Sequence, residues 1–250
     1  MYICRRMRTF GLIGKSLSHS FSQQYFTEKF LQKNINDAEY CLFSLAKIEE
    51  IKILLKHPTL LGFNVTIPYK TAIIPYLDEL DIVAQEVGAV NCVVKENNKW
   101  VGYNTDVIGF ERVMQKAESR KQKAALVLGS GGVSKAVCYV LKQRDIPFQI
   151  VSRNKTEETI PYNELTELII NHYTLIINTT PLGMYPHTEG LPQISYAALT
   201  CEHFLIDLIY NPEETLFLKE GKKRGAITIN GLAMFEAQAE ASFDLFKIGT

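Results

Sequence analysis

Two α/β domains are the architecture this sequence predicts, on three observations. A chain of 250 residues has room for two cores of ordinary size. Short apolar runs alternate with helical stripes along its length, and the alternation restarts at Ala124 with a glycine-rich turn. In the first half, Thr9 to Gly14 reads as an apolar strand ending in glycine, and Ser20 to Lys33 follows with Phe21, Tyr25, Phe26 and Phe30 near helical spacing. Tyr40 to Leu45 reads as a strand, Ile48, Ile51, Leu54 and Leu55 as a helical stripe, and Leu61 to Ile67 as another strand. Successive βα units predict a mainly parallel sheet. Val90 to Lys95 and Lys99 to Tyr103, separated by Glu96-Asn97-Asn98, predict a hairpin and therefore an antiparallel edge.

The second half opens with the apolar run Ala124 to Leu128, then Gly129-Ser130-Gly131-Gly132, then a helix through about Gln143. Further strands are expected at Phe148 to Val151, Thr174 to Asn178, Phe204 to Asp207 and Ala226 to Ile229. From Leu232 to Phe246, Met234, Phe235, Ala237, Ala241, Phe243, Leu245 and Phe246 suggest a final helix, and periodicity does not decide its domain.

Composition narrows the function. Lys plus Arg and Asp plus Glu are 27 each, so no overall field draws in nucleic acid or an acidic membrane, and a small molecule is the expected partner. The five cysteines are scattered and form no CxxC pair, and the histidines form no HExxH. Neither a disulfide framework nor a metal site is indicated, and a reducing, cytoplasmic setting is expected. No apolar run approaches the ~18 residues needed to cross a bilayer, and MYICRRMRTF lacks a signal peptide's apolar stretch.

The glycine turn carries the first chemical reading. Gly129 permits a tight turn, Gly131 lets backbone amides approach a pyrophosphate, and the following helix offers its positive end to that anion. Ser134 stands at the third small position of the usual fingerprint. The next strand ends in Val151-Ser152-Arg153-Asn154-Lys155, with no acid to hold a ribose hydroxyl. Arg153 suits a ribose 2′-phosphate instead, which favours NADP over NAD.

Seven motifs in order then give the chain its likeness: His19-Ser20-Phe21-Ser22; Asn64-Val65-Thr66-Ile67-Pro68-Tyr69-Lys70; Gly88-Ala89-Val90-Asn91; Asn104-Thr105-Asp106; the GSGG turn; Asn178 to Met184; and Asn230 to Gln238. On these the chain resembles the shikimate dehydrogenase family from end to end. The resemblance implies NADP-dependent interconversion of 3-dehydroshikimate and shikimate, a step toward the aromatic amino acids. It also implies a substrate-binding α/β domain over residues 1–106 and 232–250, and a Rossmann-type dinucleotide-binding domain over 107–231. The terminal helix is expected to return to the first domain.

The same resemblance implies the site. Lys70 and Asp106 are the expected acid–base pair, since reducing a ketone needs a proton delivered to oxygen as hydride reaches carbon. Ser20 and Ser22 match the serines that hold the substrate carboxylate; they also suit the start of a helix. Asn64, Thr66, Asn91, Asp106 and Gln238 match positions that hold ring hydroxyls, and Tyr210 matches a tyrosine facing substrate. On the cofactor side stand Gly129, Ser130, Gly131, Gly132 and Val133, then Ser152, Arg153 and Asn154, then Thr179, Thr180 and Pro181. Gly231 and Met234 match positions beside the nicotinamide. Gln23 and Ser152 depart from the family pattern, where proline and asparagine are frequent.

Three rival readings remain. One is a quinate/shikimate dehydrogenase using NAD, which the absent acid argues against. Another is a short-chain dehydrogenase, because Tyr25 and Lys29 satisfy YxxxK, but that pair precedes the glycine turn and so has the wrong order. The third is a non-catalytic, dinucleotide-responsive binding module, against which both Lys70 and Asp106 speak. A monomer and a homodimer fit the sequence equally.

Overall fold

The computed structural model describes residues 7–18, 20–117 and 124–247, so His19 of the HSFS motif and Cys4 lie outside them. The chain divides into two units, Met1–Thr105 with Gln238–Thr250, and Asp106–Ala237.

The first unit runs β1 (Arg8–Gly14), α1 (Ser22–Gln32), β2 (Ala38–Ser44), a 3-10 turn at Ile48–Glu50 leading into α2 (Ile51–Leu54), β3 (Leu60–Val65), β4 (Glu79–Leu80), α3 (Ile82–Val87), β5 (Cys92–Glu96) and β6 (Lys99–Tyr103). Its sheet has the order β2-β1-β3-β5-β6-β4. β1 pairs in parallel with β2 and β3, while β5 runs antiparallel to β3 and β6, the expected hairpin. Alternation along β1 divides the core: Phe10 and Leu12 join Phe26, Phe30, Tyr40 and the C-terminal Ala239, Phe243 and Phe246 on one face. Ile13 joins Phe63, Val65, Ile73, Val90 and Trp100 on the other. Two elements were not expected. β4 is two residues long and pairs only with β6, too short to show alternation. α3 is held by its ends: the Asp81 carboxylate accepts from the Val83 and Ala84 amides, and Gly88 closes it in the left-handed region.

The second unit runs α4 (Asp106–Ala117), β7 (Ala125–Leu128), α5 (Gly132–Gln143), β8 (Phe148–Ser152), β9 (Thr159–Pro161), α6 (Glu167–His172), β10 (Leu175–Asn178), β11 (Phe204–Asp207), α7 (Leu216–Lys223) and β12 (Ile227–Ile229), and then enters α8 (Leu232–Leu245). All pairs in its sheet are parallel. The order β12-β11-β10-β7-β8-β9 reverses direction between β7 and β10. Ligands of open α/β sheets bind at the strand ends beside such a reversal. Parallel strands covered on both faces read as continuous apolar runs, as β7 does. Val127, Ile177 and Ile206 pack with Phe110 and Val137 on one side, and Leu126, Ile176 and Leu205 with Ile170 and Phe217 on the other. β9, an edge strand of Thr159, Ile160 and Pro161, was not expected, because it lacks an apolar run.

Candidate active site

In the first unit the structure gathers Asn64, Asn91 and Gln238 into one buried polar cluster. The Asn64 amide donates to the Asn91 carbonyl at 3.2 Å and to the Ser242 hydroxyl at 2.8 Å, while its oxygen accepts from the Tyr40 phenol at 2.8 Å. Because a carbonyl can only accept, the Asn91 contact fixes which end of the Asn64 amide is nitrogen. The Asn91 side-chain oxygen accepts from the Thr105 backbone N–H at 2.6 Å, and its nitrogen donates to the Thr105 hydroxyl at 2.9 Å. That nitrogen also lies 3.5 Å from the Gln238 amide oxygen, a long contact. Ser242 donates to the Gln238 backbone carbonyl at 2.8 Å. Tyr40, Thr105 and Ser242 were not singled out in the sequence; only Thr105, inside an Asn-Thr-Asp motif, offered a signal.

Ser20 and Ser22 sit together at the start of α1, where the Ser22 amide donates to the Ser20 hydroxyl at 3.2 Å. Both are half-buried, as is Thr66 one residue past β3. Lys70 is half-buried, and its carbonyl accepts from the amide of Val90, the residue before Asn91, at 2.7 Å. Asp106 is 4% exposed and opens α4, directly after the Thr105 that Asn91 holds.

In the second unit two turns meet at the strand reversal. Gly129 follows β7 with φ +110, and a Cβ there would lie 2.6 Å from the Thr179 hydroxyl and 3.0 Å from Thr180. Thr179 follows β10, and both its amide and its hydroxyl donate to the Leu128 carbonyl. The turn is held from beneath. The Asn178 oxygen accepts from the Thr180 amide and hydroxyl, and its nitrogen donates to Asp207 at 3.0 Å. Asp207, fully buried, also accepts from the Thr215 hydroxyl and the Ile209 amide. Burial pushes its carboxyl up to about 6 against the pull of those donors.

The space before Gly131 is open, and α5 begins there without a side-chain cap, so its first amides are available to an anion. Ser134 turns its hydroxyl back to the Gly131 carbonyl, while Val133 packs against the core. The Ser130 and Ser152 hydroxyls lie 3.1 Å apart, joining the turn to the end of β8. Arg153 and Asn154 are exposed beyond them, and Lys155 is committed to Glu164 at 2.8 Å. Pro181 is exposed on the threonine turn. Gly231 is required by close approach, since a Cβ would fall 2.1 Å from the Leu208 carbonyl oxygen. Met234 is 5% exposed within the second core. Tyr210 stacks on Phe235 at 4.7 Å, and burial pushes its phenol up to about 12. Among the described residues no cluster of three or more His, Cys, Asp or Glu could hold a metal, and no helix is long and apolar enough to cross a membrane.

Comparison with known proteins extends this geometry. Residues 12–93 match the family described as shikimate dehydrogenase substrate binding domain. The chain is 40% identical over 254 residues to a shikimate dehydrogenase (NADP(+)) of Methanococcus maripaludis, covering 94% of this chain and 90% of that protein. The chain belongs to the shikimate dehydrogenase family. A crystal structure of shikimate dehydrogenase 1 from Peptoclostridium difficile superposes with a TM-score of 0.85 at 36% identity, covering 96% and 92% of the two chains. The family's fold also appears in a quinate dehydrogenase from Corynebacterium glutamicum in complex with NAD, with TM-score 0.84, 29% identity and coverage of 96% and 94%. The first unit's mixed sheet and the second unit's parallel sheet are thus the two-domain fold expected of a shikimate dehydrogenase, with the terminal segment Ala239–Phe246 in the first core.

Proposed function

We propose that this chain is an NADP-dependent shikimate dehydrogenase, interconverting 3-dehydroshikimate and shikimate. The single observation that carries the reading is the length of its likeness to a shikimate dehydrogenase (NADP(+)), 94% of the chain, which takes in residues of both units. The dinucleotide fits the second unit on that unit's own features: an open approach at Gly131, an uncapped helix start and a Gly129 cradle that a Cβ would fill. Arg153, with Ser130 and Ser152, would hold the 2′-phosphate, because Lys155 is already paired. Thr179, Thr180 and Pro181 line the neighbouring turn. When bound, the cofactor supplies the hydride.

The residues of this chain supply orientation and the proton. Ser20 and Ser22 donate hydroxyls to the substrate carboxylate, fixing which end of the ring enters. Thr66, Asn91, Asp106 and Gln238 hold ring hydroxyls, and a site built to satisfy them rejects molecules that lack them. Tyr210 faces the ring. Lys70 gives its proton to the ketone oxygen in reduction and, as the amine, takes it back in oxidation. Asp106 orients the ring hydroxyls. The chain's five scattered cysteines, with no CxxC pair, suit a reducing compartment such as the cytoplasm.

The test is a rate comparison of shikimate and quinate, each with NADP+ and NAD+, by absorbance of the reduced nucleotide. Shikimate with NADP+ is expected to lead in kcat/KM by at least about tenfold. A lead for quinate with NAD+ would transfer the chain to the other activity, and nucleotide binding without turnover would make it a binding module.

A further inference from the structure

We infer that Tyr40, Asn64 and Ser242 form a positioning relay for Asn91 and Gln238, and that Asn64 does not itself touch the substrate. The inference rests on the proposed role of Asn91 and Gln238 as substrate ligands, and it begins from a proton count. Asn64 has two amide hydrogens, and the Asn91 carbonyl and the Ser242 hydroxyl take both. Its oxygen accepts from Tyr40, and the residue is 6% exposed. A ligand hydroxyl therefore finds no donor on Asn64. Ser242 is fully buried and has one proton, which goes to the backbone carbonyl of Gln238 one turn earlier on α8, so it anchors the helix turn that carries Gln238. Its lone pairs are left to accept from Asn64 and from the Thr105 hydroxyl, 3.1 Å away. Thr105 in turn accepts from the Asn91 amide. Donors run from Asn91 through Thr105 and Ser242 to the Gln238 backbone carbonyl, the Thr105 hydroxyl also lies 3.2 Å from the Asn91 side-chain oxygen, and Tyr40 acts on the same serine through Asn64.

Each link is tied to a different element: Tyr40 on β2, Asn64 on β3, Thr105 after β6 and Ser242 on α8. Around them the sheet face holds Phe10 and Leu12, with the buried Cys92 thiol beside Ser242. There an unmade hydrogen bond is costly, so the polar groups lock one another's orientation. Tyr40 stacks on Phe26 at 4.2 Å, which fixes the direction of its phenol. Burial holds that phenol well above its ordinary titration range, so it remains a donor at working pH.

The experiment measures kcat and KM for shikimate, for NADP+, and for analogues of shikimate each lacking one ring hydroxyl, in wild type, Asn64→Ala and Tyr40→Phe. Tyr40→Phe keeps the shape and removes one donor. It is expected to raise the shikimate KM by about 2- to 12-fold, the worth of one hydrogen bond, and to leave the NADP+ KM unchanged. Asn64→Ala is expected to raise KM by the same factor for shikimate and for every deoxy analogue. If the Asn64→Ala penalty disappears for one analogue, Asn64 holds that hydroxyl and the inference is overturned. A wild-type shikimate KM in Tyr40→Phe breaks the relay equally. Should the wild-type protein itself fail to oxidise shikimate, the proposed function falls instead. The relay is then judged by the Asn91 side-chain amide resonances, which must move in Tyr40→Phe and are unchanged if no relay exists.

Discussion

The tasks proposed for Lys70 and Arg153 differ, and substituting each should separate them. Lys70→Ala removes the proposed proton donor, and general acid catalysis is worth roughly 10²–10⁴-fold. The expected result is a fall of that order in kcat with the NADP+ KM nearly intact, read from initial rates at saturating substrate. Weak cofactor binding with normal turnover would reverse the assignment. Arg153→Ala deletes the guanidinium left for the 2′-phosphate while Lys155 stays with Glu164. Hydrogen bonds to charged groups contribute about 1.5–3 kcal/mol, so the NADP+ KM should rise roughly 10- to 150-fold while the NAD+ KM stays in place. An equal loss for both nucleotides would move the phosphate contact elsewhere.

Among the elements, the β7–turn–α5 unit concentrates the constraint. Gly129 at φ +110 faces the Thr179 hydroxyl, which is itself bonded to the Leu128 carbonyl and would lose that bond by swinging away. Gly129→Ala therefore adds backbone strain and displaces the threonine turn. A loss of about 1–3 kcal/mol in denaturant unfolding, with weakened NADP+ binding by fluorescence titration, is expected. Unchanged affinity would separate the two turns functionally. This unit was readable in advance because its signals are local: an apolar run, glycines at fixed offsets and a helical stripe. The Val90–Tyr103 hairpin was readable for the same reason. The two-residue β4 and the Pro161-bearing β9 were not, since each depends on a neighbouring strand rather than on its own pattern. The polar cluster was half legible. Residue type drew attention to Asn64, Asn91 and Gln238, but what Asn64 bonds to lies at Ser242, 178 residues away. Tyr40 read only as the first residue of a strand.

At the scale of the whole chain, equal numbers of acids and bases hide two carboxylates that answer acid in opposite directions, one in each unit. Glu240, in the first, is held below its ordinary range by hydrogen bonding from Lys29 at 2.5 Å, against desolvation. Its contribution is present above the unfolded value and is lost as pH falls through the folded one; with the side chain 46% exposed, solvent screening keeps it small. Asp207, in the second, is raised from 3.8 to about 6 by burial. A raised acid binds its proton more tightly when folded, so its contribution is fully present below about 3.8 and is lost as pH climbs through about 6. The difference corresponds to about 3 kcal/mol. Asp207→Asn keeps an oxygen toward Asn178 and the Ile209 amide, and turns a donor toward a Thr215 hydroxyl able to accept it. The stability of wild type relative to this variant should therefore decline by about 2–3 kcal/mol between pH 4 and pH 7 and then level off, as measured by denaturant unfolding at each pH. A difference flat across that window would mean Asp207 carries the same protonation in the folded and unfolded chain, and the buried carboxylate beneath the Thr179–Thr180 turn would then be no source of pH sensitivity.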